Sequence, residues 1–288
     1  RDADSDDILI YLGVPCSFKR VKPILLKRMA SQNVLLVGGD RDVQASLLLS
    51  IINSWQKTDR KLDRFEIWAH EQYPTLKKYR KRWEHARCKW DIVEIAKRTE
   101  ELINDIYSGR SEDRLIVCMG LDLLYEDFDD YKSLPKAPKK PDEPKDITGI
   151  DLWALMNAPD VNEEQIKEYN EATTHSDNLS SEDVADFHRN MELLLSKVSK
   201  KGVHFAFFFM RHRDYSTSKL CESECQHKIL FSMPRTESKD IAGIDASDLN
   251  EGEFVYSDGY RTFNMRPHIY NGIPCNGWII ENGEVTKI

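Results

Sequence analysis

The sequence predicts an α/β domain built on a mostly parallel sheet with helices on both faces. Three observations carry that expectation. Residues 33–37, 65–69, 115–119 and 203–210 are short, almost wholly apolar runs rich in β-branched and aromatic residues, as strands buried on both faces are. Segments with apolar residues at helical spacing separate them. The pair Gly38-Gly39 follows the first run directly and precedes a helix, the opening unit of an α/β domain.

Each element has its own signal. After the strand at 33–37, Asp40 stands where a helix cap belongs, and Val43, Leu47, Leu48, Ile51, Ile52 and Trp55 fall on one helical face. A second strand at 65–69 leads into a basic stretch at 76–89, read as helical. Ile92, Ile95, Ala96, Leu102, Ile103 and Ile106 predict a further helix, and 115–119 a third buried strand. From Glu126 to about residue 180 the chain is poor in large apolar residues and carries Pro135, Pro138, Pro141 and Pro144 among charges. That composition reads as an insertion, with short helices at 151–157 and 163–171, inside a single domain spanning 1–288. Phe187, Met191, Leu194, Leu195 and Val198 form a helix stopped at Gly202. The run 203–210 (VHFAFFFM) is the strongest strand, and 228–233 is another. Asp258-Gly259 and Asn282-Gly283, each between strand-like runs, predict two C-terminal hairpins.

Composition limits the function. With 40% hydrophobic and 31% charged residues, the 288-residue chain has material for a real core. No apolar run reaches the ~18 residues of a membrane span. Forty-one Lys+Arg against 49 Asp+Glu leave a net charge of −8, the opposite of a free-standing nucleic-acid binder. The six cysteines are dispersed, several in apolar stretches, which suits reduced core thiols and a cytoplasmic setting. Arg1 and the acidic start read as a cut end, so a fragment of a longer chain is expected, with a membrane tether in the missing region left open.

A strand, glycine turn and helix is where phosphate-binding loops occur: backbone N–H groups cradle the anion, a lysine reaches the outer phosphates and a hydroxyl holds Mg²⁺. The corresponding stretch here is Gly38-Gly39-Asp40-Arg41-Asp42-Val43-Gln44-Ala45, with no Gly-Lys-Ser/Thr. Asp40 and Asp42 add negative charge where a polyphosphate would sit, each worth a few kcal/mol at an effective dielectric of about 20. An ordinary strand–helix turn and a weakened nucleotide pocket (Gly38, Gly39, Asp40, Gln44, Ala45) are both compatible with this. The strand at 115–119 ends in Met119-Gly120, where phosphoryl-transfer ATPases place a metal-holding acid; Asp122 lies two residues further on.

Weaker constellations remain. Lys77, Lys78, Arg80, Lys81 and Arg82, interleaved with Tyr79 and Trp83, form the one dense basic patch and are candidates for DNA contact, or the solvated side of a packed helix. Arg211 and Arg213 end the strongest strand, at the ligand edge of an α/β sheet, and with Arg266 could meet an anion or a neighbouring subunit's phosphate. A local salt bridge to Asp214 is the alternative for Arg211 and Arg213. Cys221, Cys225 and His227 lack the second ligand pair of a structural zinc site, and no metal is expected. No Gly-x-Ser-x-Gly elbow presents a serine nucleophile.

Tyr11-Leu12-Gly13-Val14-Pro15, the basic–apolar stretch to Arg28 and Asn33-Val34-Leu35-Leu36-Val37-Gly38 resemble the start of FtsK/SpoIIIE-type (FtsK–HerA superfamily) ATPase domains, in particular the divergent C-terminal module of large bacterial multi-ATPase proteins. Downstream, Gly202-Val203-His204-Phe205, the strand at 228–233 followed by a polar loop at Arg235-Thr236-Glu237-Ser238, and the hairpin segments 251–256 and 263–267 resemble the family's order. The resemblance implies a three-layer RecA-like P-loop core and a setting in a DNA translocase or secretion motor. With the lysine and the strand-end acid missing, it implies a degenerate, non-hydrolysing ATPase module that serves assembly, regulation or docking. The alternatives are a nucleotide-binding module that completes a neighbour's site, and a DNA-contacting one. No cofactor is expected, with weak ATP or ADP binding as the exception. The expected partners are upstream ATPase domains of the same polypeptide or a partner protein, DNA in the full assembly, and further copies in an oligomer.

Overall fold

The computed structural model describes residues 7–16, 23–57, 64–75, 88–89, 92–110, 112–133, 187, 189–195, 198–218, 220, 222–268, 278–281 and 284–287. Three short strands, β1 (Ile8–Ile10), β2 (Gly13–Pro15) and β3 (Ile24–Leu26), precede β4 (Val34–Val37) and α1 (Arg41–Gln56). The alternation continues through β5 (Phe65–Ala69), β6 (Cys88–Lys89), α2 (Ile92–Tyr107), β7 (Arg114–Met119) and α3 (Leu121–Ser133). Then come β8 (Val203–Phe209), α4 (His212–Thr217), β9 (His227–Phe231) and α5 (Arg235–Ala242). Two hairpins close the chain, β10 (Phe254–Ser257) with β11 (Thr262–Pro267), and β12 (Trp278–Glu281) with β13 (Glu284–Lys287).

Nine strands form one sheet in the order β2-β11-β10-β9-β4-β8-β7-β5-β6. The block from β9 to β6 is parallel, and β10, β11 and β2 extend it antiparallel. Side chains alternate across the sheet and divide the core in two. Leu36, Ile67, Val117, Phe208 and Ile229 face α1 and the β1–β3 pair. Leu35, Val37, Trp68, Ile116, Phe205, Phe207 and Phe209 face α2, α3 and the helical stretch around Met191 and Leu194. This is the three-layer arrangement expected, because continuous apolar strands need cover on both faces.

The two covering layers are held differently. On the α2 side Glu66, 3% exposed, receives a bidentate hydrogen-bond pair from Arg98 and further bonds from Arg114 and the Trp68 indole. Burial alone raises its carboxyl; the Arg98 guanidinium outweighs that and holds it below the usual range. At the amino edge of the sheet the buried Asn33 donates to the Glu224 carbonyl at 2.8 Å and accepts from the Phe205 amide at 2.9 Å, tying β4 to the starts of its neighbours. Beside it His227 bonds Tyr256 Oη and Gln32, and burial depresses its pKa to about 4.

Several expectations change. Cys88 and Lys89, read as the end of a helix, form β6 beside β5, because the pairing with Ile67 and Trp68 decides their conformation. Arg235-Thr236-Glu237-Ser238, read as a polar loop, open α5, which buries Ser238 and Ile241 and ends at Gly243 in the left-handed conformation (φ 67°). β1, β2 and β3 carry no local signal beyond a few apolar residues. α3 runs past Glu126, where the sequence places the start of the insertion; residues 134–186 lie outside the described ones.

Candidate functional site: the carboxyl edge of the parallel sheet

In an open α/β sheet, ligands sit outside the carboxyl ends of the strands where the strand order reverses. Here that point is β4, flanked by β8 and β9, while α1 carries the chain over to β5 two strands beyond β8. Gly38 and Gly39 leave β4 with φ of 92° and 82°. A side chain on Gly39 would begin 3.1 Å from the Phe231 ring, so these glycines admit that ring against the backbone. α1 then starts at once. The Asp40 carboxylate accepts from the amides of Asp42 and Val43 at 2.9 and 2.8 Å, and its carbonyl accepts from the Gln44 amide. Two of the N–H groups that a phosphate at this helix start would engage, those of Asp42 and Val43, are thus donated to the chain's own carboxylate.

Gln44 stands in the lysine position of the phosphate-loop pattern, in α1 and fully buried. Its amide nitrogen donates to the carbonyls of Gly38 (2.9 Å) and Phe209 (3.1 Å). Its amide oxygen accepts from Tyr73 Oη (2.7 Å) and Thr75 Oγ1 (3.2 Å). Two donated and two accepted bonds use the whole capacity of a primary amide. Ala45, in the hydroxyl position, is buried in the apolar core under α1.

Asp122 lies in the first turn of α3, just beyond β7, and is 8% exposed. Burial first, then the neighbouring Asp214 carboxylate, push its pKa up to about 6, while the amides of Asp122 and Leu123 partly offset the rise. His70, at the end of β5, accepts from the Gln72 amide at Nδ1 and meets Asp127 at 2.8 Å through Nε2, so both ring nitrogens are engaged.

The arginines fare differently. Arg211 reaches Asp214 at 3.2 Å and is 75% exposed; Arg213 is exposed on α4. Both stand at the carboxyl edge, next to β4. Arg266 also ends at that edge, but three strands from β4 and held by Glu253 at 2.8 and 3.1 Å. Lys77, Lys78, Arg80, Lys81 and Arg82 lie outside the described residues. So does Cys221, while Cys225 is buried and both nitrogens of His227 are occupied. Among the described residues no group of three His, Cys, Asp or Glu side chains could hold a metal ion. Ser216, His212 and Asp240 come together, but the serine (3.4 Å) and the carboxylate (2.9 Å) meet the same Nε2, so the ring cannot relay a proton between them.

Tyr73 and Thr75 escape sequence reasoning. They follow β5 without a motif, and only the fold brings them to Gln44. The one available signal is indirect: a glutamine facing the core from a helix needs buried partners.

No family model and no curated protein matches the sequence. Solved structures do resemble the fold. The conjugation coupling protein TcpA of pCW3, in a monomer form with ATPγS, gives a TM-score of 0.58 at 11% identity, over 95% of this chain and 70% of that one. The cytoplasmic domain of the Thermomonospora curvata type VII secretion ATPase EccC gives 0.50 at 10% identity, over 99% of this chain and 30% of that one. A structure of EccC ATPases 2 and 3 with a signal sequence peptide also gives 0.50 at 10% identity, over 93% and 43%. The chain thus spans less than half of either EccC structure. Among the described residues no helix is long and apolar enough to cross a membrane. The sheet order, the three layers and these neighbours agree: the chain has the fold of FtsK/HerA-type P-loop ATPase domains.

Proposed function

We propose that the chain is a degenerate ATPase module that does not hydrolyse nucleotide and serves as a docking or regulatory domain beside active ATPase domains in a DNA-translocase-like or secretion motor. The observation that carries this reading is Gln44. In the position of the phosphate-reaching lysine stands a neutral amide with its hydrogen-bonding capacity spent inside the fold. Ala45 offers no hydroxyl to a metal, and the strand-end position at Met119-Gly120 offers no carboxylate. Asp122, two residues past Gly120 in the first turn of α3, is the acid nearest that role. A module without these groups acts by packing: it docks on a neighbour and biases that neighbour's conformation. The test is ATP turnover by the purified chain with Mg²⁺, with and without DNA. The expected result is a rate equal to the protein-free blank, and robust hydrolysis refutes the reading.

A second reading rests on the exposure of Arg211 and Arg213 at the carboxyl edge. In it the module completes a neighbour's nucleotide site in trans, with Arg266 less available because Glu253 holds it. Addition of this chain to an active ATPase domain of the same polypeptide would then raise turnover, and Arg211→Ala/Arg213→Ala would abolish the increase. DNA contact through Lys77, Lys78, Arg80, Lys81 and Arg82 predicts an affinity that falls steeply with salt.

A further inference from the structure

We infer that residues 70–75 form a strap closed across the nucleotide edge of the sheet, latched by Gln44, so that the edge is shut by the chain itself. The inference rests on the reading of the module as inactive and says how the inactivity is held. The strap leaves β5 and crosses toward β4 and β8, passing the loop after β7. Tyr73 is 2% exposed and Thr75 fully buried, unlike ordinary connecting segments, which run over the surface. Three neighbours form their seat. From α1, the Gln44 amide oxygen takes both hydroxyls. From β7, Gly120 (φ 78°) lies under the Tyr73 ring, where an added Cβ would stand 3.0 Å from the ring edge. From β8, Met210 Sδ lies 3.8 Å from Thr75 Oγ1.

At the base of the strap the Tyr73 amide donates to the His70 carbonyl at 3.0 Å and the Gln72 amide to His70 Nδ1, so the turn is closed on itself. The ends of β4, β7 and β8 are where a bound polyphosphate would have to meet the sheet. A tyrosine ring and a threonine hydroxyl fill that approach from the β5 side. The latch is specific in chemistry. An amide can hold the two main-chain carbonyls through its nitrogen while its oxygen receives two hydroxyls, and a lysine has no acceptor to offer them.

The experiment uses the full chain and hydrogen exchange at the amides of residues 38–44 and 120–123, with inorganic tripolyphosphate and Mg²⁺ as the probe. Three proteins are compared: the unaltered chain, Tyr73→Phe, which removes only the hydroxyl, and Tyr73→Ala, which removes the strap's anchor. The expected result is no probe-dependent protection in the unaltered chain. Exchange at residues 38–44 should be about fivefold faster in Tyr73→Phe, with the amides of β8 unchanged. Tyr73→Ala should gain probe-dependent protection at residues 120–123, the part of the edge under the Tyr73 ring that the Asp40 carboxylate does not cap, and if it fails to fold, Thr75→Ala/Tyr73→Phe takes its place. Protection of the unaltered chain by the probe overturns the inference, as does exchange at residues 38–44 that Tyr73→Phe leaves unchanged. Turnover by the unaltered chain would instead overturn the reading of inactivity, so the two failures are distinguishable.

Discussion

Replacing Gln44 by methionine tests the hub directly, since the two side chains are close in length and the substitution opens little cavity. The cost comes from what the amide leaves behind. The Phe209 carbonyl still accepts from the Gly38 amide at 3.0 Å, and the Thr75 hydroxyl can turn to Met210 Sδ. The Gly38 carbonyl and the Tyr73 hydroxyl lose the only partners found for them among the described residues. Each buried polar group left unsatisfied costs roughly 1–3 kcal/mol, so Gln44→Met should lose about 3 kcal/mol. Tyr73→Phe alone should lose about 1 kcal/mol, because Gln44 keeps Thr75 as a donor. In the double variant the orphaned hydroxyl no longer exists, and the loss should fall short of the sum by about 2 kcal/mol. Equilibrium urea unfolding followed by the fluorescence of the buried Trp55 and Trp68 measures all three. A Gln44→Met loss below about 0.5 kcal/mol, or strict additivity in the double variant, refutes the account of Gln44 as the hub of a fully satisfied buried network.

Other perturbations separate function from stability. Gln44→Lys/Ala45→Thr, which introduces the lysine and hydroxyl of a phosphate loop, should show no ATP turnover in a steady-state assay, because Asp40 continues to hold the Asp42 and Val43 amides and β7 ends in Met119-Gly120 without a carboxylate. Asp122→Asn should stabilise the fold near neutral pH. The folded-state pKa of about 6 lies above the ordinary 3.8, so the favourable contribution is full below 3.8 and lost as pH rises through about 6. By that linkage the asparagine variant should gain about 2 kcal/mol at about pH 8 and nothing at about pH 4 in parallel unfolding titrations. His227 works in the opposite direction. Its pKa of about 4 lies below the ordinary 6.5, so its contribution is full above 6.5 and lost as pH falls to about 4. Acid unfolding should therefore begin below about pH 6, and His227→Gln should flatten the slope between those limits by about 3 kcal/mol in total.

How far these features can be read from sequence follows from the range of the interactions that form them. α1 is legible because its signal is local: an Asp40 cap and an apolar face from Leu47 to Trp55 at helical spacing. β4, β7 and β8 are legible because strands covered on both faces must be apolar throughout. β2 is not, since three residues, Gly13-Val14-Pro15, become a strand only by pairing with Arg266 and its neighbours far along the chain. α5 is hidden by its first residues, which are polar because the helix lies against the sheet on one narrow face through Ser238 and Ile241. At the edge of the sheet the pattern pointed to Gln44 and Ala45 at the start of α1, and to Arg211 and Arg213 as strand-end charges, and the structure places all four at that edge. The pattern could not locate Tyr73 or Thr75, because their partner is set by tertiary placement alone.

The glycine pair shows why the motif and the chemistry must be argued separately. Gly38 and Gly39 have the positive φ angles that bring backbone close to a ligand in phosphate loops, and by conformation they look functional. The space beside them is taken by the Phe231 ring at 3.1 Å, and the Asp42 and Val43 amides beyond them are taken by Asp40. Positive φ therefore serves packing here, and glycine at these positions is no argument for a ligand. What separates a binding loop from a scaffold is the state of its donors: free and aimed outward, or already paired within the chain. On that criterion the Asp42 and Val43 amides in the first turn of α1 are already paired within the chain. Asp122 is the exception at the same edge, a buried carboxylate with no cation on it among the described residues, held against its own desolvation. A group that destabilises the fold at neutral pH is the one whose replacement distinguishes a structural remnant from a contact used in the assembly. If Asp122→Asn stabilises the isolated chain and leaves docking to a neighbouring ATPase domain unchanged, the edge is scaffold throughout. If docking weakens while stability rises, Asp122 faces a cation on that neighbour.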